Sequence, residues 1–116
     1  MFSTVQPPPH LQLLHSRGVD LVRAAIIGDD KREIVEEVLR LRDKVGPDGF
    51  VFTSGGIGPT HDDITSESIA AAFGVPWEKH PEAWALLEAR YPPGAFNPAR
   101  QRMATLHASA APSCAI

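Results

Sequence analysis

The spacing of apolar residues predicts one long amphipathic helix in the first half of the chain. Its apolar residues recur at the interval of one helical face and are Ile34, Val38, Leu41 and Val45. Asp30 precedes this pattern and Glu33 follows three residues later, which is the spacing of a capping box with Asp in place of Ser or Thr. Gly46-Pro47 ends the pattern. The sequence therefore predicts a helix between Asp30 and Gly46.

Two nearly continuous apolar runs, Val19–Ile27 and Phe50–Thr53, flank this helix. Runs of this kind are typical of strands that are buried on both faces of a parallel sheet. The order strand, helix, strand, glycine-rich turn and helix predicts a parallel α/β architecture. Because sheets usually have more strands than two, the core of this chain is expected to be thin.

Cap and stop signals predict four further helices. One ends at Gly18, and the next begins with Thr65 as its N-terminal cap and closes at Gly74. The pairs His80-Pro81 and Asn97-Pro98 open two more, the last running to about Leu106. We expect residues 1–9 to be a disordered tail, residues 10–106 to form the domain and residues 107–116 to be an irregular tail.

Composition and charge exclude several classes of function. Apolar residues make up 43% of the 116 residues and charged residues 22%, as in ordinary globular proteins. The formal charge of −3 argues against a nucleic-acid partner. The lone Cys114 excludes an internal disulfide framework and a cysteine-rich zinc site. No apolar run approaches the roughly 20 residues of a membrane span, and Met1–His10 lacks the basic start and apolar run of a secretory signal. We therefore expect a cytoplasmic protein with no membrane partner.

The candidate chemistry lies in the glycine-rich stretch from Thr53 to Thr65, between a predicted strand and a predicted helix. Ligands of open α/β folds bind at this location, and glycines let backbone N–H groups approach an anion. The alternative is a plain strand-to-helix turn. The P-loop and the Rossmann fingerprint are excluded, because the stretch has no lysine and supplies only G-x-G. The candidate ligand- or phosphate-binding residues are Thr53, Ser54, Gly55, Gly56, Gly58, Thr60 and Thr65.

Asp62 and Asp63 are the candidate catalytic residues and metal ligands. Carboxylates beside an anion site would repel a phosphate unless Mg²⁺ or another divalent cation bridges them, or unless they accept hydrogen bonds from a heterocycle. Both alternatives indicate a phosphorylated heterocyclic ligand. A third alternative is that they are helix-start charges. His61 is expected to face solvent, and Asp29 is a second-line candidate for the site because it also follows a strand.

The stretch Thr53–Thr65 resembles the signature T-[GSA]-G-G-[ILT]-G-P-T-x-D-D-[ILV]-T of the molybdopterin-binding domain family, the MoaB/Mog fold. Flanking segments are similar to that family over roughly residues 10–106, including Asn97–Ala104. The resemblance implies a three-layer α/β fold with a parallel sheet. The family's first strand and its later strands are not recognisable here, so we expect a domain that is truncated at both ends.

The resemblance is strongest to the branch linked to eukaryotic FAD synthases and competence-damage-inducible proteins. It implies a pterin or flavin nucleotide as ligand and metal-dependent pyrophosphate chemistry, such as hydrolysis of FAD or a related dinucleotide. The other branch implies adenylation of molybdopterin in molybdenum cofactor biosynthesis. A further alternative is a fragment that binds without turnover or is inactive. Family members suggest a homo-oligomer.

Overall fold

The computed structural model describes residues 9–108 of the chain. The predicted tails lie mostly outside the described residues, as does Cys114. No helix in residues 9–108 is both long enough and apolar enough to cross a membrane.

The predicted amphipathic helix is confirmed as α2, Lys31–Val45, and follows α1, Pro9–Ser16. A carboxylate oxygen of Asp30 accepts a hydrogen bond from the Glu33 amide at 3.0 Å and so caps the first turn of α2. Gly46, with φ of 71°, ends the helix. Ile34 and Val38 are buried, as their position on one helical face predicts.

The next two helices are also confirmed. Helix α3, Thr65–Phe73, ends at Gly74 in the left-handed conformation and packs against α2. A strand of three residues, β1 (Trp77–Lys79), leads to α4, Pro81–Glu88. The His80 Nδ1 atom accepts a hydrogen bond from the Ala83 amide at 3.2 Å, so His80 is the N-terminal cap of α4.

The last predicted helix is much shorter than expected. Asn97 caps α5, Pro98–Gln101, as predicted, but a 3₁₀ turn follows at Arg102–Ala104 and then strand β2, Thr105–His107. Strand β2 pairs antiparallel with β1, with Leu106 opposite Glu78. The prediction of a helix to Leu106 is wrong because pairing with β1 stabilises an extended backbone at these residues.

The structure assigns no strand to residues 19–27 or to residues 50–53, so the prediction of parallel strands there is not met. Within residues 9–108, no backbone hydrogen bond joins residues 20–27 or 50–53 to another element. Most of their apolar side chains are also exposed: Ile26 is 102% exposed and Phe50 is 75% exposed. Strand formation requires a hydrogen-bonded neighbour, and the described residues provide none.

The buried core of the described residues is small and lies around α2, α3 and the 3₁₀ turn. Its buried members are Ile34, Val38, Ser68, Ala70 and Ala104. An open cavity of about 990 Å³ lies beside α2, lined mainly by apolar residues of α1, of residues 21–29 and of residues 50–56, together with charged residues such as Arg23, Glu37 and Lys44. The core therefore positions α2 and α3, and the glycine-rich loop meets the start of α3 at one edge of this cavity.

We expect Asp30→Ala to lower the free energy of unfolding by about 1 kcal/mol, because it removes the side chain that caps α2. Urea unfolding followed by circular dichroism measures this change. Asp20→Ala is the matched control, since Asp20 lies in the irregular segment after α1 and is no helix cap. Equal stability of the Asp30→Ala variant and the wild type would contradict the assignment of the cap.

Candidate functional site

The first half of the glycine-rich loop folds back onto the start of α3. Gly55 and Gly56 have φ of 84° and 65°, in the left-handed region that favours glycine. The Thr65 hydroxyl donates to the Gly55 carbonyl at 2.9 Å, and the Thr65 amide donates to the Gly56 carbonyl at 3.1 Å. A Cβ atom at Gly56 would overlap the Thr65 hydroxyl oxygen. Glycine is therefore required at position 56 both for backbone conformation and for space.

Thr65 has a different structural role from the one predicted. The N-terminal cap of α3 is Ile64, which makes no side-chain cap hydrogen bond, and Thr65 is the first helical residue. The prediction of Thr65 as the cap is wrong because its hydroxyl is engaged by the Gly55 carbonyl instead. Thr65 thus closes the loop, and its role as a ligand residue stays a prediction.

The second half of the loop is organised around the carboxylate of Asp63. Its Oδ2 atom accepts hydrogen bonds from the Thr60 hydroxyl at 2.7 Å and from the Thr60 amide at 3.0 Å. The Asp63 amide donates back to the Thr60 carbonyl at 3.1 Å. A Cβ atom at Gly58 would lie 2.7 Å from Oδ2, so the absence of a side chain there leaves space for the carboxylate.

These hydrogen bonds lower the pKa of Asp63 below its usual value. The Thr60 hydroxyl has the largest effect and the Thr60 amide the next, while the Gly58 amide and the charge of Arg102 add smaller contributions. Desolvation acts in the opposite direction but does not prevail. The Asp63 carboxylate is thus held ionised as part of the loop.

Asp62 is placed differently from its neighbour. Its side chain is 70% exposed, and its Oδ1 atom lies 3.1 Å from Nε2 of His61, whose side chain is 92% exposed. The expectation that His61 faces solvent is confirmed. The sequence did not separate the two carboxylates, whereas the structure does: Asp63 shapes the loop, and Asp62 is exposed beside His61.

The cavity beside α2 takes in only the first half of the loop. The predicted site residues that line it are Thr53, Ser54, Gly55, Gly56 and Thr65. Gly28 and Asp29 line it as well, which brings the turn before α2 to the same cavity. Gly58, Thr60, Asp62 and Asp63 are not among its lining residues. The loop therefore has one side in the cavity and the Thr60–Asp63 turn outside it.

Arg102 is a residue of this site that the sequence did not single out. Its guanidinium donates to the Thr60 carbonyl at 3.2 Å and to the Asp63 carbonyl at 3.1 Å. Arg102 is distant in sequence and lies in the 3₁₀ turn. The only sequence signal was that it falls within Asn97–Ala104, a segment with family-like residues.

The loop offers only two carboxylates, Asp62 and Asp63, as ligands for a divalent cation. No group of three or more His, Cys, Asp or Glu side chains able to hold a metal occurs in the described part of the chain. Asp63 already uses Oδ2 for Thr60, which leaves Asp62 as the more available carboxylate. Mg²⁺ in phosphate sites is often held by one or two carboxylates, the remaining ligands being water and phosphate oxygens. The residues are thus compatible with a cation shared with a ligand.

The glycine-rich loop that leads into α3 is thus a candidate anion site at a helix start. The model of the family described as "Probable molybdopterin binding domain" matches residues 11–112, and the chain belongs to this family. The family resemblance of the loop is thereby confirmed, and the fold is α/β of the MoaB/Mog type.

Relatives with known sequences or structures support the same assignment. A CinA-like protein of Prochlorococcus marinus (strain MIT 9313) is 37% identical over 81 residues, which is 70% of this chain and 18% of that protein. A probable FAD synthase of Caenorhabditis elegans is 47% identical over 60 residues, 52% of this chain and 11% of that protein. The chain thus spans about a fifth or less of the length of these curated relatives.

A solved structure agrees with the fold. The crystal structure of CinA from Thermoplasma acidophilum, described there as a protein of unknown function, superposes with a TM-score of 0.74 at 31% identity. The match covers 84% of this chain and 56% of that one.

We expect Gly56→Ala to destabilise the protein by more than about 1 kcal/mol, because alanine is strained at this positive φ and its methyl group overlaps Thr65. Gly28→Ala is the matched control, since Gly28 has no positive φ and its nearest neighbour to an added Cβ is 3.8 Å away. Urea unfolding of both variants measures the difference. Equal stabilities would contradict the closed loop.

Acid is expected to loosen the Thr60–Asp63 turn. Because the pKa of Asp63 is lowered in the folded state, its carboxylate stabilises the fold above the unfolded value near pH 4, and this contribution is lost as pH falls through the lower folded value. Unfolding measured between neutral pH and about pH 3 tests this expectation. Asp63→Asn should flatten the acid dependence, and Thr60→Val should reduce it. An unchanged dependence in Asp63→Asn would contradict it.

Proposed function

We propose that the loop Thr53–Thr65 binds a phosphorylated pterin or flavin nucleotide and supports metal-dependent pyrophosphate chemistry, with hydrolysis of FAD or a related dinucleotide as the leading reaction. The ligand, the metal and the reaction are all part of the proposal. The chain covers a small part of its relatives, so the proposal concerns the domain that this sequence contains.

The observation that carries the proposal is a set of backbone donors at the bend of the loop. Within residues 9–108, the amides of Gly55, Gly56 and Ile57 have no hydrogen-bond partner. Two of these residues have positive φ, and the loop is tied to the start of α3 by Thr65. Successive free amides beside a helix start are a common arrangement for holding a phosphate.

The names of relatives support the choice of ligand. The family is described by molybdopterin binding, and one relative is a probable FAD synthase. A pterin and a flavin share a fused heterocycle with hydrogen-bonding edges. The cavity next to Thr53–Gly56 is lined largely by apolar residues, which suits the face of such a ring.

The proposed roles follow the structural division of the loop. Glycine amides hold phosphate oxygens, Thr53 and Ser54 offer hydroxyl donors, and Gly58, Thr60 and Asp63 form the turn that supports them. Asp62, together with Asp63 in a lesser role, would hold Mg²⁺ or another divalent cation. That cation would withdraw charge from the phosphoryl oxygens. In the hydrolysis, water adds to one phosphorus, the P–O–P bridge breaks, and FAD yields FMN and AMP.

The proposal includes the three-layer arrangement with a parallel sheet. Residues 19–27 and 50–53, to which the structure assigns no strand, would become parallel strands of that sheet when paired with a neighbouring strand. Their apolar character and the positions of Asp29 and the loop directly after them support this arrangement. In parallel sheets the carboxyl ends of strands carry the ligand, which would bring these two turns to one edge.

A second candidate function is adenylyl transfer to molybdopterin, favoured by the description of the family. The same amides would hold phosphates, but the substrate would be ATP: the pterin phosphate would attack the α-phosphorus, the bond between the α- and β-phosphates would break, and pyrophosphate would leave. A third outcome is binding without turnover.

We expect the purified chain to convert FAD to FMN and AMP in the presence of Mg²⁺ and to lose this turnover in EDTA, as measured by liquid chromatography. Asp62→Asn should lower kcat/KM by at least about tenfold, a loss that even outer partners of a metal can cause. Asp20→Asn is the control with the same change of charge.

Other outcomes separate the alternatives. Binding of FAD without products would favour the binding-only function. AMP transfer to molybdopterin from ATP would favour the second candidate. Undiminished turnover in Asp62→Asn would contradict the role of that carboxylate.

A further inference from the structure

Arg102 joins the 3₁₀ turn to the outer half of the glycine-rich loop. Its Nε atom donates to the Thr60 carbonyl and its Nη2 atom to the Asp63 carbonyl, at 3.2 and 3.1 Å. These two carbonyls belong to the two ends of one turn. A planar guanidinium has its donors in a fixed fork, so it fixes the separation of the two carbonyl oxygens that it binds.

The guanidinium is itself held from two other elements. Its Nη2 atom lies 3.9 Å from Oε2 of Glu67 on α3, and its Cζ atom lies 5.1 Å from the centroid of the Trp77 ring on β1. The side chain is only 26% exposed. Glu67 also lies 3.5 Å from Nζ of Lys31, the first residue of α2. The turn is thus connected through Arg102 to three elements of the packed core.

The position of this cation has a consequence for the loop. The positive charge of the partly buried Arg102 side chain helps to lower the pKa of Asp63, although the hydrogen bonds from Thr60 contribute more. The guanidinium also occupies the Thr60 and Asp63 carbonyls, so these two acceptors of the turn are already paired.

We propose that Arg102 is a positioning residue: its guanidinium fixes the Thr60–Asp63 turn in the conformation that the ligand loop needs, and Glu67 orients it. The effect on the conformation of the turn does not depend on the proposed function. The effect on ligand affinity rests on the proposed function.

Backbone amide exchange measured by NMR on the complete chain tests the first effect. Arg102→Lys keeps the charge but loses the fork, so the amides of Thr60 and Asp63 should exchange about tenfold faster or more, as loss of a charged hydrogen bond implies. Amides of α2 and α4 should be unchanged. The control is Arg100→Lys, whose parent side chain donates to the Ala95 carbonyl and lies over Tyr91, away from the loop.

A role in overall stability alone would overturn the proposal, and it would appear as faster exchange throughout the chain in proportion to the lost stability. Unchanged exchange at Thr60 and Asp63 would overturn it as well. The Arg102 Nε–H resonance of the wild-type protein gives a test that needs no variant. Slow exchange of this proton with water supports the hydrogen bond to Thr60, and free exchange contradicts it.

Calorimetry with FAD and Mg²⁺ tests the second effect. Arg102→Lys should weaken binding about tenfold relative to the wild type, equivalent to about 1.4 kcal/mol, while Arg100→Lys should bind as the wild type does. Equal affinity of the Arg102→Lys variant and the wild type would overturn the link to the ligand. Absence of FAD binding in the wild type would instead reject the proposed function, and the exchange measurements would still decide the role of Arg102.

Discussion

The close approach of Thr65 to Gly55 and Gly56 is the constraint on which the rest of the candidate site depends. Two hydrogen bonds from one residue hold the loop against the first turn of α3, and they can form only because position 56 has no Cβ atom. This contact holds the bend at Gly55 and Gly56, whose amides have no backbone hydrogen-bond partner within residues 9–108. The loop is therefore shaped by backbone geometry in its first half and by a carboxylate in its second.

The two halves differ in what they can do. In the first half, the N–H groups without a partner lie beside a largely apolar cavity, and we propose that these two features hold the phosphate and the ring of a heterocyclic nucleotide. In the second half, the Asp63 carboxylate is hydrogen-bonded to Thr60, and Asp62 stays exposed beside His61. The two adjacent aspartates thus differ in role: Asp63 is structural, and Asp62 is the residue that we propose for a cation or a ligand.

Much of the helical structure could be predicted from local signals. Asp30, His80-Pro81 and Asn97-Pro98 act within one helical turn, and the sequence shows such caps directly. The strands could not be predicted in the same way. Residues 19–27 and 50–53 have the composition of buried strands, but pairing depends on a neighbour that the described residues do not provide. The end of α5 was predicted wrongly because residues 105–107 do have a strand neighbour: they pair with β1, which is distant in sequence.

The candidate loop was recognisable in the sequence because the spacing of its residues is specific. The contacts that Thr65 and Arg102 make with the loop could not be recognised in the sequence. Thr65 was predicted as a cap, since a threonine before an apolar helix fits that role, and only the fold shows its hydroxyl at Gly55. Arg102 contacts the loop across a long sequence separation, which no local pattern can reveal. NMR titration of the labelled chain with FAD and Mg²⁺ tests the central claim most directly. The account predicts that the largest shifts fall on the amides of Gly55, Gly56 and Ile57, and shifts confined to other residues, or none, would contradict it.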